Sequence, residues 1–136
     1  MTATQKTPAT TAAITITSTD LTTDSLSLST TATLTKAATA NGLEQVIGVS
    51  RQTIATAGET TLLSASSYTA DKAHKLYVKN TSTTDAHKII LKIGTQIIGR
   101  LYAGDWGFIP YNGEGDLKLT TSHNDMAFEY ILFYEA

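Results

Sequence analysis

The chain has 136 residues, a formal net charge of −2 and 41% hydrophobic residues. It contains no cysteine, which excludes a disulfide framework and a thiolate metal site. No basic run favours nucleic acid, and no apolar run reaches the roughly 18 residues that a membrane helix needs, so we expect neither kind of partner.

The first forty residues are rich in threonine, serine and alanine and contain no aromatic residue. Met1–Thr11 has no hydrophobic period and no apolar stretch typical of a secretory signal. We therefore predict a disordered terminus on a chain that is made and kept in solution.

Order begins where apolar residues start to alternate with small polar ones. Ile14 and Ile16 alternate with threonine, and a second alternation carries Leu26, Leu28 and Leu34. A period of two predicts two thin β-strands, joined near Thr19–Asp24. Two such strands are marginal alone, so we interpret residues 1–42 as an arm that is stable only against another surface.

Residues 43–136 predict an antiparallel β-sandwich, because short apolar runs alternate with turn residues. Gly48 indicates a bulge or a close backbone approach, and Ala57–Glu59 predicts a hairpin turn. Pro110 cannot donate to a ladder, so its strand ends there or lies at an edge. The predicted strands are Lys75–Lys79, Lys88–Ile93, Gln96–Leu101, Trp106–Pro110, Asp116–Thr121 and Met126–Glu135, and one helical turn is predicted at Ala70–Ala73.

The last predicted strand is apolar on both faces. Phe128, Tyr130 and Leu132 share one face, while Ile131 and Phe133 share the other. Such a strand is either central in a sandwich or covered on its outer side by another subunit.

The polar residues carry no catalytic pattern. His74, His87 and His123 lie beside predicted turns without metal-ligand spacing, so we expect solvent-facing loop histidines and no metal. The acidic residues at turns favour local hydrogen bonding over acid–base catalysis; they are Asp105, Glu114, Asp116 and Asp125. We therefore predict no catalytic residue and no cofactor, and we interpret the acceptor pattern Asn80–Ser82 as a turn only.

An aromatic cluster is the strongest candidate contact surface: Tyr102, Trp106, Phe108 and Tyr111. Such residues pack in cores, anchor subunit interfaces or stack on sugars. All three alternatives stay open at this point.

Three segments resemble known proteins: His74–Ser82, Gly99–Pro110 and Phe128–Phe133. Together with the threonine-rich arm, they are similar to small virion structural proteins of tailed bacteriophages, especially short-tailed cyanophages. The resemblance implies a jelly-roll-like sandwich, made in the host cytoplasm and located in the virion. It implies a capsid cement or decoration protein, with a carbohydrate- or receptor-binding module of a tail or fibre as the alternative.

Cement proteins of this kind are often trimers whose arms reach over neighbouring capsid subunits, and the resemblance carries over no catalytic residue. It therefore implies a homo-oligomer, with a trimer favoured, and contact with the major capsid protein or other virion proteins. The candidate interface residues are Leu26, Leu28, Leu34, Tyr102, Trp106, Phe108, Tyr111, Ile131 and Phe133.

Overall fold

The structure is a computed structural model that describes residues 10–20 and 25–135, apart from the side chains of residues 49 and 50. Within these ranges the chain is all-β, with antiparallel pairing throughout and no α-helix. The contacts divide it into two units, Met1–Leu43 and Glu44–Ala136. Residues 1–9 of the terminus that was predicted to be disordered lie outside the described residues. Thr11, the last residue of that terminus, begins the first strand.

Ten strands follow one another in the described residues, with a single 3₁₀ turn at Ala65–Ser67. Their bounds are β1 Thr11–Ser18, β2 Leu26–Thr33, β3 Gln45–Ile54, β4 Gly58–Leu63, β5 His74–Asn80, β6 Lys88–Ile93, β7 Gln96–Tyr102, β8 Trp106–Pro110, β9 Leu117–Thr121 and β10 Met126–Tyr134.

The first unit is a two-stranded antiparallel ribbon of β1 and β2, called the N-terminal ribbon below. Its register runs from Thr11 opposite Thr33 to Ser18 opposite Leu26. The Leu34 N–H donates to the Thr10 carbonyl at 3.0 Å, which extends the pairing by one step. The two thin strands are therefore present, while residues 21–24 of the predicted joining segment lie outside the described part.

The second unit consists of two four-stranded sheets. The first sheet has the order β3-β10-β5-β8, and the second has the order β4-β9-β6-β7. The strand pairs are nested along the chain: β6–β7 is enclosed by β5–β8, which is enclosed by β4–β9 and then by β3–β10. One long antiparallel ribbon, bent into two layers, gives this nesting.

The inward faces of both sheets form one hydrophobic core. Buried and half-buried residues alternate along β5, β9 and β10, as the period of two predicts. The buried members are Leu63, Leu76, Val78, Ile89, Leu91, Leu101, Tyr111, Leu117, Leu119, Met126, Phe128, Tyr130 and Leu132. The β-sandwich-like packing that the sequence predicts for this part of the chain is thus confirmed.

Position in the sheet explains three features of the sequence. β10 lies between β3 and β5, so it is a central strand with one face in the core. β8 is an edge strand that ends at Pro110, where the missing N–H costs no ladder bond. Gly48 has a φ of +92° opposite a register shift between Tyr130 and Ile131, which confirms the predicted bulge.

Two local predictions are wrong. β3 and β4 do not form a hairpin, because β3 pairs with β10 and β4 pairs with β9. Their short connection crosses from one sheet to the other and is tied to the β9–β10 loop, where Asn124 Oδ1 accepts from the Ala57 N–H at 2.8 Å. The helical turn lies at Ala65–Ser67, where Asp116 Oδ1 accepts from the Ala65 N–H, and not at Ala70–Ala73.

Candidate interaction surfaces

All isoleucine and leucine side chains of the N-terminal ribbon lie on one of its two faces. Residues opposite each other in an antiparallel pair share a face. One face combines Ile14, Ile16, Leu26 and Leu28 with Ala12, Ser18, Thr30 and Ala32. The other face holds only threonine, serine and Ala13: Thr11, Ala13, Thr15, Thr17, Ser27, Ser29, Thr31 and Thr33.

The apolar face of the N-terminal ribbon remains open to solvent. Ile16 is 45% exposed and Leu28, its cross-strand neighbour, is 48% exposed. Every residue of β2 is exposed, and neither strand carries a charged residue. Isolated two-stranded ribbons are marginally stable in water, so this face is suited to contact with another apolar surface.

Leu34, the third leucine predicted at an interface, has a different environment. It is buried, and its backbone donates to Thr10 and accepts from the Leu43 N–H at 3.1 Å. Leu34 therefore stabilises the first unit, whereas the exposed side chains of Leu26 and Leu28 are available for contacts with another surface.

The first sheet has a second apolar surface on its outer side. Tyr77 lies opposite Phe108 on one neighbouring strand and opposite Ile131 on the other. Along each strand, the residues that alternate with these three face the core. We call this surface the outer apolar patch and define it as Val46, Tyr77, Trp106, Phe108, Ile131 and Phe133.

Exposure varies across the outer apolar patch. Val46 and Trp106 are each 48% exposed, and the remaining members are half-buried. The Trp106 ring lies tilted against the Tyr77 ring, with 6.5 Å between centroids. Four of the predicted interface residues lie on this surface: Trp106, Phe108, Ile131 and Phe133. Val46 and Tyr77 were not among the predicted interface residues.

Charges on the outer side of the first sheet are mostly positive. Arg51, Lys75 and Lys79 share that side with the carboxylate of Glu129. Glu129 Oε1 accepts a hydrogen bond from the Tyr77 hydroxyl at 3.0 Å. Burial, and then this bond, raise the pKa of Tyr77 above its usual value.

The outer side of the second sheet carries both charged and apolar residues: Ile97, opposite Lys92, is 48% exposed. Lys92 and Lys118 lie next to each other and both contact Glu59, at 3.2 and 3.5 Å. The hydrogen bond from Lys92 is the largest influence that lowers the pKa of Glu59. Glu59 is exposed, so these ion pairs add little stability. Tyr102 is exposed on this side, opposite Lys88.

The four aromatic residues of the predicted cluster therefore do not come together. Trp106 and Phe108 lie on the outer side of the first sheet, and Tyr102 lies on the outer side of the second sheet. Tyr111 is only 2% exposed and belongs to the core, the alternative that the sequence left open for the whole cluster. Its hydroxyl donates to the Gly115 carbonyl at 2.6 Å, and burial raises its pKa.

The prediction of solvent-facing histidines is wrong for His74, which is 1% exposed. Its Nδ1 lies 3.1 Å from the Tyr111 carbonyl oxygen. The rings of Tyr68 and Tyr111 pack against it edge-on, with centroid distances of 5.4 and 5.7 Å. His74 opens a half-buried strand at an inward position, so the strand period outweighs its place beside a turn.

The other two histidines behave as loop residues. His87 and His123 stack with 4.3 Å between ring centroids, and each Nδ1 is paired with a serine hydroxyl, on Ser82 and Ser122. Across the described ranges, no group of three or more histidine, aspartate or glutamate side chains is placed to hold a metal ion.

Asp105 forms the local hydrogen bond that was predicted for the acidic residues at turns: its Oδ2 accepts from the Tyr102 N–H at 2.9 Å. Asp116 Oδ1 instead accepts from the Ala65 N–H of the 3₁₀ turn, which is distant in sequence. Asn80 does more than close a turn: it is fully buried, and its amide nitrogen donates to the carbonyls of Leu101 and His87. Beyond a residue type that is common in turns, no local pattern indicates this buried role of Asn80.

No helix in the described part of the chain is long and apolar enough to span a membrane. No family model, no curated protein and no solved structure matches the chain.

Proposed function

We propose that this chain is a structural protein of a tailed-bacteriophage virion, acting as a capsid decoration or cement module. It forms a homo-oligomer, with a trimer favoured, and contacts the major capsid protein. In this role it resides in the virion, catalyses no reaction and needs no cofactor. The sequence resemblance described above motivates the proposal, and two structural features support it.

The first supporting feature is the strand order of the second unit. Numbered from β3 to β10, the first strand pairs with the last, the second with the seventh, the third with the sixth and the fourth with the fifth. A jelly roll is a double-sheet fold with two Greek keys, and this nested order fits it. Jelly rolls occur in viral capsid proteins and in lectins, so the fold alone does not choose between these functions.

The second feature is the N-terminal ribbon, which carries the proposal. A charge-free ribbon with Ile16 and Leu28 in solvent gains stability when it covers a neighbour. Burying a leucine fully contributes about 2 kcal/mol, and an extended arm repeats this gain at every copy in a shell. An arm of this kind favours a structural role over a solitary binding module.

Labelling of native particles tests the proposal. Virus particles isolated from the source that encodes this chain are imaged by negative stain with an antibody against residues 44–136. We expect label distributed over the icosahedral shell. Label confined to the tail would favour the alternative below, and particles without label would contradict a virion role altogether.

The alternative is a carbohydrate- or receptor-binding module of a tail or fibre. One observation favours it: Trp106 is half exposed next to Tyr77, and both lie beside polar groups on Lys79 and Glu129. Exposed aromatic rings with flanking polar groups stack on sugars. Glycan binding by the purified protein that Trp106→Ala abolishes, with the fold retained, would support this alternative.

A further inference from the structure

We infer that the apolar face of the N-terminal ribbon docks on the outer apolar patch of a second copy of this chain. Both surfaces are apolar and exposed at several positions, and both occur on every copy. The inference rests on the homo-oligomer part of the proposed function and adds the two surfaces that meet.

Electrostatic repulsion favours the N-terminal ribbon, rather than a second copy of the first sheet, as the surface that covers the outer apolar patch. Two copies of the first sheet facing each other would bring Arg51, Lys75 and Lys79 of one chain towards the same cations of the other. The Glu129 carboxylate on that side already accepts a hydrogen bond from Tyr77. Like charges in an interface are strongly unfavourable. The ribbon strands carry no charge, so they cover the patch without this repulsion.

Area argues against two ribbons pairing only with each other. A ribbon of eight residue pairs is about 26 Å long and about 10 Å wide. Two such faces together would bury roughly 500 Å², well below the roughly 1,200 Å² of a standard stable interface. Two chains that each lay their ribbon on the other's patch would bury twice this area, roughly 1,000 Å², in a single interface, close to the lower limit for specific association.

The shapes are also compatible. The first sheet has four strands and is therefore roughly 19 Å across, wider than the ribbon that would lie on it. The ribbon offers the aliphatic side chains of Ile14, Ile16, Leu26 and Leu28, and the patch offers mainly aromatic rings. Reciprocal exchange of ribbons between two chains closes as a two-fold pair, whereas a ring of identical chains would hold one ribbon, and roughly 500 Å² of contact, in each interface.

The absence of cysteine makes a direct test simple. One preparation carries Leu28→Cys, and a second, with a different affinity tag, carries Phe108→Cys. The two full-length proteins are mixed and mildly oxidised. We expect the disulfide-linked heterodimer to be the main crosslinked product. The matched control replaces Leu28→Cys by Ser29→Cys, the neighbouring residue on the opposite ribbon face, and is expected to give at least about tenfold less heterodimer.

Sedimentation velocity over a range of concentrations supplies a second readout. Leu28→Asp should weaken self-association on the order of tenfold or more, because it places a charge in an apolar contact, whereas Ser29→Asp should leave it nearly unchanged. Circular dichroism of each variant checks that the second unit remains folded.

Three results would overturn the inference. A wild-type protein that stays monomeric and gives no interchain product would exclude a second copy as the occupant. Self-crosslinking of the Leu28→Cys protein without heterodimer would indicate ribbon-to-ribbon contact. A monomeric Leu28→Cys/Phe108→Cys double variant that forms only an intrachain disulfide would indicate docking within one chain. Because these tests use purified protein alone, a negative result leaves the particle-labelling test of the virion role independent.

Discussion

The α-carbon of Gly48 lies so close to Tyr130 that a β-carbon at position 48 would overlap the Tyr130 carbonyl oxygen. The two residues meet where β3 bulges against the central strand β10, and Gly48 has a φ of +92°. Both steric space and backbone conformation therefore require glycine at this position.

We expect Gly48→Ala to lower the free energy of unfolding by about 2 kcal/mol or more, because the methyl group displaces backbone in a central pair of strands. Chemical denaturation measures the change. Gly99→Ala is the matched control: Gly99 also lies in a strand, but a β-carbon there meets no atom within 4 Å. A loss at Gly48 no larger than at Gly99 would contradict the bulge geometry.

Asn80 joins three neighbouring segments through its buried amide. Asn80→Ala should cost about 2–3 kcal/mol, because it removes the donor at 3.0 Å from the Leu101 carbonyl inside the protein. Asn112→Ala is a suitable comparison, since Asn112 is exposed and accepts only a local bond from the Glu114 N–H. Equal effects of the two substitutions on thermal unfolding would argue against the buried network.

The aromatic residues should separate into core and surface by their effect on stability. Tyr111→Ala should lose about 3–5 kcal/mol, because it leaves a cavity in the core and removes the bond to Gly115. Trp106→Ala should lose less, about 2 kcal/mol at most in dilute, monomeric protein, because half of its surface is already exposed. A loss as large as that of Tyr111→Ala would contradict a surface position for Trp106.

High pH should destabilise the second unit. Burial is the main cause that raises the pKa of Tyr68, Tyr77 and Tyr111 above the usual value of 10.0. A raised pKa means that the folded state holds its protons longer, so their contribution is complete below pH 10.0 and is lost as the pH rises through the folded values.

The melting temperature should therefore fall above about pH 10, in step with tyrosinate absorbance. Tyr77→Phe should make the fall shallower, because it removes one of the three groups. A melting temperature that stays constant through the tyrosine titration would contradict this expectation.

Removal of residues 1–43 should leave the second unit folded, because the core residues from Leu63 to Leu132 all belong to it. A fragment of residues 44–136 should unfold cooperatively, at a midpoint close to that of the dilute full-length chain. Loss of cooperative unfolding in the fragment would mean that the N-terminal ribbon is needed for the fold.

Local patterns predicted the elements well because the second unit has one buried face on most strands. The alternation of Leu76, Val78, Ile89 and Leu91 determines which side of each strand faces the core. The same alternation placed Tyr77 outside, where the structure has it.

Such local patterns do not indicate which strands pair when the strands are distant in sequence. A glycine between two strands suggested a hairpin at Gly58, although the strands belong to different sheets. Tyr111 and His74 are buried because segments far apart in sequence meet there: the Tyr111 ring packs against the rings of both Tyr68 and His74. No local spacing encodes that contact.

The central position of β10 has a consequence for synthesis. β3 is among the first strands of its domain to leave the ribosome, but its partner is residues 126–134, which leave last. The first sheet cannot close until nearly the whole domain has emerged, and nested pairing over such sequence distances makes folding slow. Until then the nascent chain has an unpaired strand edge, and ribosomal stalling or early termination would leave it open to aggregation.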